Sequence, residues 1–259
     1  MPLNPGFSDY PPLVSDNEII VGNQDLLAEL IAEVMLGQYI HVQKILEAKS
    51  SKVISSNRII EVTIDRLNNM DNDHRDGWIF QIISWIALHK DHVGQKYFAQ
   101  QPHDAPAQHG LDGLAIVLDS TDKIAKIIIT EDKCTTNVRT TIKSKVWPEF
   151  LDFEDGRQDN KLVSRVSALI SQLDGGRILE ENRNDIFNPD LRRYRVGINR
   201  TTKYNTAKKR KKLFKGYDGC VKGTDNTRRT SATFFQVDIR TWMDDVTIII
   251  LEKLESKKT

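Results

Sequence analysis

Residues 111–136, LDGLAIVLDSTDKIAKIIITEDKCTT, hold two apolar runs of strand type joined by a polar turn at residues 120–123. Short runs this rich in Ile, Val and Leu, and this close together, are most simply an antiparallel hairpin. Side chains at i and i+2 of a strand share a face. Glu131 and Lys133 therefore share one, and Asp132 points the other way. A turn centred on residues 120–123 sets residues 111–113 opposite residues 130–132, so Asp112 meets Glu131 and Lys133 at one end of the sheet.

Two readings of that cluster stand. In the first, Glu131 and Lys133 form an ion pair on an exposed strand end, and Asp112 caps a turn before Gly113. In the second, the two carboxylates repel one another until a hard divalent cation relieves them. Magnesium takes one or two protein carboxylates together with waters and phosphate, which makes Asp112, Glu131 and the backbone carbonyl of Asp132 its candidate ligands. Manganese is a candidate substitute. Lys133 would then orient the attacking water or offset phosphate charge, as metal-assisted phosphodiester hydrolysis requires. The run IAKIIIT looks central in a sheet, and helices are predicted on both sides of the hairpin; both features favour the second reading.

Around the hairpin the pattern is mixed. Residues 1–16 are rich in Pro, Asn and Ser and read as an extended arm. Leu26, Leu27, Leu30, Ile31, Val34 and Met35 recur at helical spacing behind Asn23 as N-cap, and Gly37 divides that helix from the next segment. Their apolar face is a candidate docking surface for a partner. NRIIEVTIDRLNN reads as helix in preference to strand. DGWIFQIISWIALHKD is a helix with Asp76 as its cap, and it sets Gln81 and Trp85 one turn apart. QKYFAQQP is a short strand. Residues 137–159 look irregular apart from KVWPEFLDF. NKLVSRVSALISQL is an amphipathic helix, RRYRVGINR a strand with outward arginines, ATFFQVDI a last strand, and RTWMDDVTIIILEKLESK a closing helix. The expected organisation is an arm and helical extension over residues 1–75, then a core over residues 76–259 with a basic insertion near residues 201–230.

The formal net charge is +1, so overall charge selects no partner, but its distribution is uneven. Arg192, Arg193, Arg195, Arg200, Lys203, Lys208, Lys209, Arg210, Lys211, Lys212 and Lys215 follow one another with no acidic residue between them. Such a segment suits a phosphate backbone, and the interleaved Tyr194, Tyr204 and Phe214 suit stacking on bases. The plainer alternative is a solvated loop. His103 and His109 flank Asp104 but lack a third ligand at known spacing, so they read as loop histidines rather than a zinc site. Cys134 and Cys220 have no metal-type spacing. No phosphate loop is present, so any ATP-driven step falls to a partner. No basic segment followed by an apolar stretch opens the chain, and no apolar run suits a membrane span. The expected location is the reducing cytoplasm.

Helix, three strands, helix, strand, with Asp112 in GLDG on the second strand and Glu131 and Lys133 in EDK on the third, resembles the PD-(D/E)xK nuclease superfamily. The likeness spans roughly residues 76–200. It implies an α/β fold with a restriction-endonuclease-like core, a three-stranded mixed sheet and an N-terminal helical extension. It also implies a magnesium-dependent endonuclease acting on DNA, with RNA a second candidate. Leu111 stands where the motif has proline. Gln81 stands on the first core helix, where many members carry glutamate, and is the fourth candidate catalytic residue. The layout looks similar to nuclease subunits of bacterial antiviral systems, Hachiman-type first and Lamassu-type second, which implies an ATPase or helicase partner. The alternative is a catalytically degenerate nucleic-acid-binding or scaffold subunit.

Overall fold

The structure is a computed structural model that describes residues 1–10, 13–51, 56–105, 111–171, 173–223 and 226–258. Its strands are β1 (Leu3–Tyr10), β2 (Val14–Val21), β3 (Lys96–Ala99), β4 (Gly113–Leu118), β5 (Ile124–Lys133), β6 (Arg192–Arg200) and β7 (Arg229–Phe235). Helices α1 (Gln24–Met35), α2 (Tyr39–Leu46), α3 (Asn57–Asn69) and α4 (Asn72–Asp91) precede β3. Between β5 and β6 lie α5 (Val138–Thr141), α6 (Trp147–Glu154), α7 (Asp159–Ile170) and α8 (Arg177–Glu181). Between β6 and β7 lie α9 (Ala207–Leu213) and α10 (Tyr217–Cys220), and α11 (Ile239–Ser256) closes the chain.

The fold is α/β. Its sheet is mixed and has seven strands in the order β1-β2-β7-β6-β5-β4-β3, where a three-stranded sheet was expected. Neighbours β2, β7, β6 and β5 pair in parallel. β4 pairs antiparallel to β5, and β3 to β4. The difference from expectation comes largely from the N-terminus. Residues 1–16, read as an arm, form β1 and the start of β2, and β2 pairs directly with β7. Prolines at residues 2, 5, 11 and 12 masked the strand pattern, because β1 is an edge strand and tolerates proline.

Alternation along the strands creates two cores. Ala232 and Phe234 of β7 pack with α1, α3, α4 and α11 on one face. Leu114 and Ile116 of β4, Ile127 and Ile129 of β5, and Val196 and Ile198 of β6 pack with α6, α7 and α10 on the other. Leu27, Leu30, Ile31, Val34 and Met35 of α1 lie inside the first core, so the face read as a docking surface is internal packing. Asn23 caps α1 through its side chain, which accepts from the Leu26 N–H. Gly37, at φ +77, ends it, with its N–H donated to the Val34 carbonyl at 2.9 Å.

Helix α4 is the central helix. Every residue from Trp78 to His89 is buried, because the sheet covers one side and other helices cover the rest. Its cap is Asp71, whose Oδ1 accepts from the His74 N–H at 3.0 Å. Asp76, read as the cap, is instead a buried carboxylate paired with Arg75 at 2.8 Å and with Arg240 of α11. Residues 137–159, read as mostly irregular, are largely helical, with a π-helical turn at Ile142–Val146 joining α5 to α6.

His89 links this core to pH. Burial is the main cause that lowers its pKa, to about 3. The folded state therefore holds the imidazole neutral, while the unfolded chain protonates it near the ordinary value. Its contribution is fully present above pH 6.5 and is lost as pH falls toward 3, by roughly 3–5 kcal/mol at the acid end. Urea denaturation across that range should show His89→Gln losing less stability on acidification than the parent.

Candidate active site

Gly113 pairs with Thr130 across β4 and β5, so Asp112 comes opposite Glu131 as the hairpin register required. Lys133 Nζ donates to Asp112 Oδ2 at 2.9 Å and also pairs with Glu131 Oε1. The three side chains expected to cluster do so, with one ammonium joining two carboxylates. All lie on the face of the sheet that packs against α6 and α7. Glu131 is buried, whereas Asp112 and Lys133 keep an edge to solvent. Burial and the Asp112 charge push the Glu131 pKa well up, against Lys133. Burial disfavours the Lys133 ammonium, yet Glu131 and Asp112 outweigh it and raise its pKa.

Two further contacts fix Asp112. The Asp132 N–H donates to Asp112 Oδ2 at 2.9 Å. Gln81 Nε2 donates to the Asp112 carbonyl at 2.6 Å, so this glutamine holds the backbone beside the carboxylate. Asp132 itself points to the opposite face, as alternation requires, and accepts from Ser84 Oγ of α4 at 2.5 Å. Arg195 Nη1 donates to the same Ser84 Oγ at 2.6 Å. Burial raises the Asp132 carboxyl to about 6, with Arg195 opposing. Ser84 was not singled out in the sequence; its only signal there is its position one helical turn after Gln81.

The cationic segment divides in two. Arg192, Arg195, Arg200 and Arg210 are buried, which corrects the picture of outward arginines on β6. Arg192 donates to the Phe153 carbonyl at 2.6 Å and to Asp159 at 2.8 Å. Arg200 donates to Asn205 at 2.7 Å and pairs with Glu18. Arg193 is partly exposed and donates to the Asp190 carbonyl at 2.5 Å. Lys203, Lys208, Lys209, Lys211, Lys212 and Lys215 are exposed. Tyr194 and Phe214 are fully buried and so are closed to stacking on bases; Tyr204 is partly exposed.

The basic insertion is anchored. Arg210 of α9 reaches down to Glu18 at 3.0 Å and to the fully buried Asp16 at 3.5 Å. Arg139 holds the carbonyls of Leu213 at 2.9 Å and Lys215 at 2.7 Å. The sheet register places this anchor. Glu131 pairs with Val196, Val196 with Ser231, and Ser231 with Asp16. These four residues form one lateral row on one face, so Asp16 lies three strand spacings, about 14 Å, from Glu131. The exposed lysines of α9 thus share a face with the carboxylate cluster.

His103 Nε2 lies 3.2 Å from the Leu111 carbonyl, and His109 lies outside the described residues. Among the described residues, no group of three or more His, Cys, Asp or Glu side chains is placed to hold a metal ion. The donor set at the cluster is two carboxylates, which fits magnesium only in its water-rich and phosphate-rich mode. No helix among the described residues is long and apolar enough to cross a membrane. Compared with protein-family models, curated proteins and solved structures, the chain matches none.

Close approach at Gly197 holds the site's rear wall. A Cβ there would fall 1.8 Å from Asp132 Oδ1 and 2.9 Å from Ser84 Oγ. Gly197→Ala should therefore cost about 1–3 kcal/mol in urea denaturation, as overpacked interiors do. Gly77→Ala, where nothing lies within 4 Å, should be neutral or slightly stabilising.

Proposed function

We propose that this chain is a magnesium-dependent nuclease hydrolysing phosphodiester bonds in DNA. The observation that carries the reading is the Asp112–Lys133–Glu131 cluster at the end of β4 and β5, on the same face of the sheet as the lysines of α9. Asp112 and Glu131 would hold magnesium or manganese, which supplies charge neutralisation at the phosphate and acidifies the attacking water. Lys133 is the cluster's own cation and acts on that water or on phosphate charge. Gln81 and the Asp132 N–H fix Asp112. The lysines of α9 hold the phosphate backbone at a distance from the chemistry.

The order α4, β3, β4, β5, intervening helices, β6 supports a PD-(D/E)xK-type core within the larger sheet, with Asp112, Glu131 and Lys133 at the motif positions. Under that likeness the chain acts in the cytoplasm as an effector of an antiviral system. An ATPase or helicase partner supplies control, and RNA is a second substrate to test. One observation favours a subunit that binds nucleic acid without turnover: Gln81 brings no charge to the site and is engaged with the Asp112 carbonyl.

Cleavage assays on mixed DNA and RNA, with and without magnesium, separate the two readings. Asp112→Ala, Glu131→Ala and Lys133→Ala should each cut hydrolysis by at least about a hundredfold, with circular dichroism unchanged. Because the groups act together, the triple variant should be little worse than the poorest single variant. Parent-like cleavage by all three singles would sink the nuclease reading, and binding without magnesium-dependent cleavage would establish the alternative.

Affinity should depend on α9. Replacing Lys208, Lys209, Lys211 and Lys212 with Gln should weaken binding across sequences and flatten its salt dependence, by roughly 0.7–0.9 in log–log slope per lost phosphate contact. An unchanged slope in filter binding would mark these lysines as a solvated face.

A further inference from the structure

The helix that leaves β5 widens into one π-helical turn, Ile142–Val146, before it continues as α6. Pro148 supplies the cause. It has no N–H for the Ser144 carbonyl, and its ring crowds that carbonyl. The Trp147 N–H reaches the Ile142 carbonyl, five residues back, as in a π-helix. Ile142 and Val146 are fully buried, in the core under the cluster's face of the sheet. The three residues between them, Lys143, Ser144 and Lys145, are all exposed.

Both ends of this turn are tied to the C-terminal end of α9. Arg139 donates to the Leu213 carbonyl at 2.9 Å and to the Lys215 carbonyl at 2.7 Å. Trp147 Nε1 donates to the same Lys215 carbonyl at 3.5 Å, and the Trp147 ring stacks on Tyr217 at 4.5 Å. Lys143 stands midway between Arg139 and Trp147 on one stripe of the helix, so it lies beside Lys215. Lys145 is one turn before Glu149, whose charge acts on Glu131. The turn therefore runs from α9 toward the cluster.

We propose that this turn is a second phosphate-binding element, through which Lys143 and Lys145 carry the basic surface of α9 toward the carboxylate cluster, and that its partner is a nucleic-acid backbone. The inference rests on the nucleic-acid half of the reading above and not on hydrolysis. Residues 133–148 and 191–217 contain no acidic residue, so the two segments joined here carry charge of one sign. Lys143, Lys145 and Lys215, like the lysines of α9, are exposed, and their side chains enter no ion pair or hydrogen bond among the described residues. Unpaired ammonium groups gathered on one face repel one another, and a line of phosphates is the polyanion that relieves them. The nearest flanking carboxylates in sequence, Glu149 and Asp218, stand outside the two segments. The turn exposes no apolar side chain to enter a lipid surface, which favours nucleic acid over an anionic membrane.

The test is fluorescence anisotropy of the full chain with a labelled DNA duplex and with the matching single strand, over a series of salt concentrations and without magnesium. The parent should bind at least one of them. Lys143→Gln combined with Lys145→Gln should lower the log–log salt slope by roughly 1.4–1.8, the loss of two phosphate contacts, with circular dichroism unchanged. Lys126→Gln, an exposed position on the α4 face of the sheet, should keep the parent slope. Cleavage with magnesium is read in parallel. Binding with the expected slopes but without cleavage would leave the turn in place and remove the nuclease. A parent-like slope in the double variant, an equal fall in Lys126→Gln, or no binding to either nucleic acid would overturn the assignment. Binding to phosphatidylserine vesicles in place of DNA would overturn it too.

Discussion

Gly113 faces Thr130 across the β4–β5 ladder, and a Cβ at Gly113 would sit 2.4 Å from Thr130 Oγ1. That contact pins the register on the α4 face. The opposite face then receives Asp112, Glu131 and Lys133 together. A slip of one residue would invert every side chain of one strand. Ile127, Ile129 and Glu131 would turn toward α4, and Asp132 would lose Ser84. The apolar contacts of the hairpin and the polar cluster at its end are therefore one constraint, and neither can be moved without the other.

Buried charge is the second organising theme. Arg75 and Arg240 enclose Asp76 between α4 and α11. Arg228 pairs with Glu154 at 2.6 Å, and Arg210 joins α9 to Asp16 and Glu18. Such pairs add little net stability over apolar packing, but removing one member leaves an uncompensated charge. Their effect here is positional: each ties an element distant in sequence to the sheet. Arginine suits the role because its planar fork reaches carbonyls and carboxylates at once, as Arg192 and Arg228 both do.

What the sequence disclosed depends on the range of each signal. The hairpin, the cluster at its end, α1 with its Asn23 cap and the helix at Asp159–Ile170 rest on periodicity and short spacings, and all were legible. Asp76 was misread because a capping residue and a buried ion-pair partner look alike until Arg240 arrives from 164 residues away. Residues 1–16 were misread because β2 gains its partner, β7, only in three dimensions. The β6 arginines were read as outward for want of an acceptor in the sequence nearby; Phe153, Ser84 and Glu18 come from other elements. Alternation alone did place Arg195 on the face opposite Val196, yet nothing local named Ser84 as its partner.

The row from Glu131 through Val196 and Ser231 to Asp16 gives the candidate site its directionality. Parallel pairing keeps equivalent positions side by side, so the carboxylate cluster at β5 and an anchor at β2 share one edge of one face. Arg210 ties α9 to this anchor and keeps its own charge buried, while its neighbours Lys208, Lys209, Lys211 and Lys212 remain in solvent. Along the row Asp16, the residue that Arg210 reaches, stands about 14 Å from Glu131. Over that distance salt screens exposed charges strongly. The exposed lysines of α9 therefore leave Glu131 and Lys133 governed by burial and by each other, a separation of the two charged groups that follows from sheet geometry.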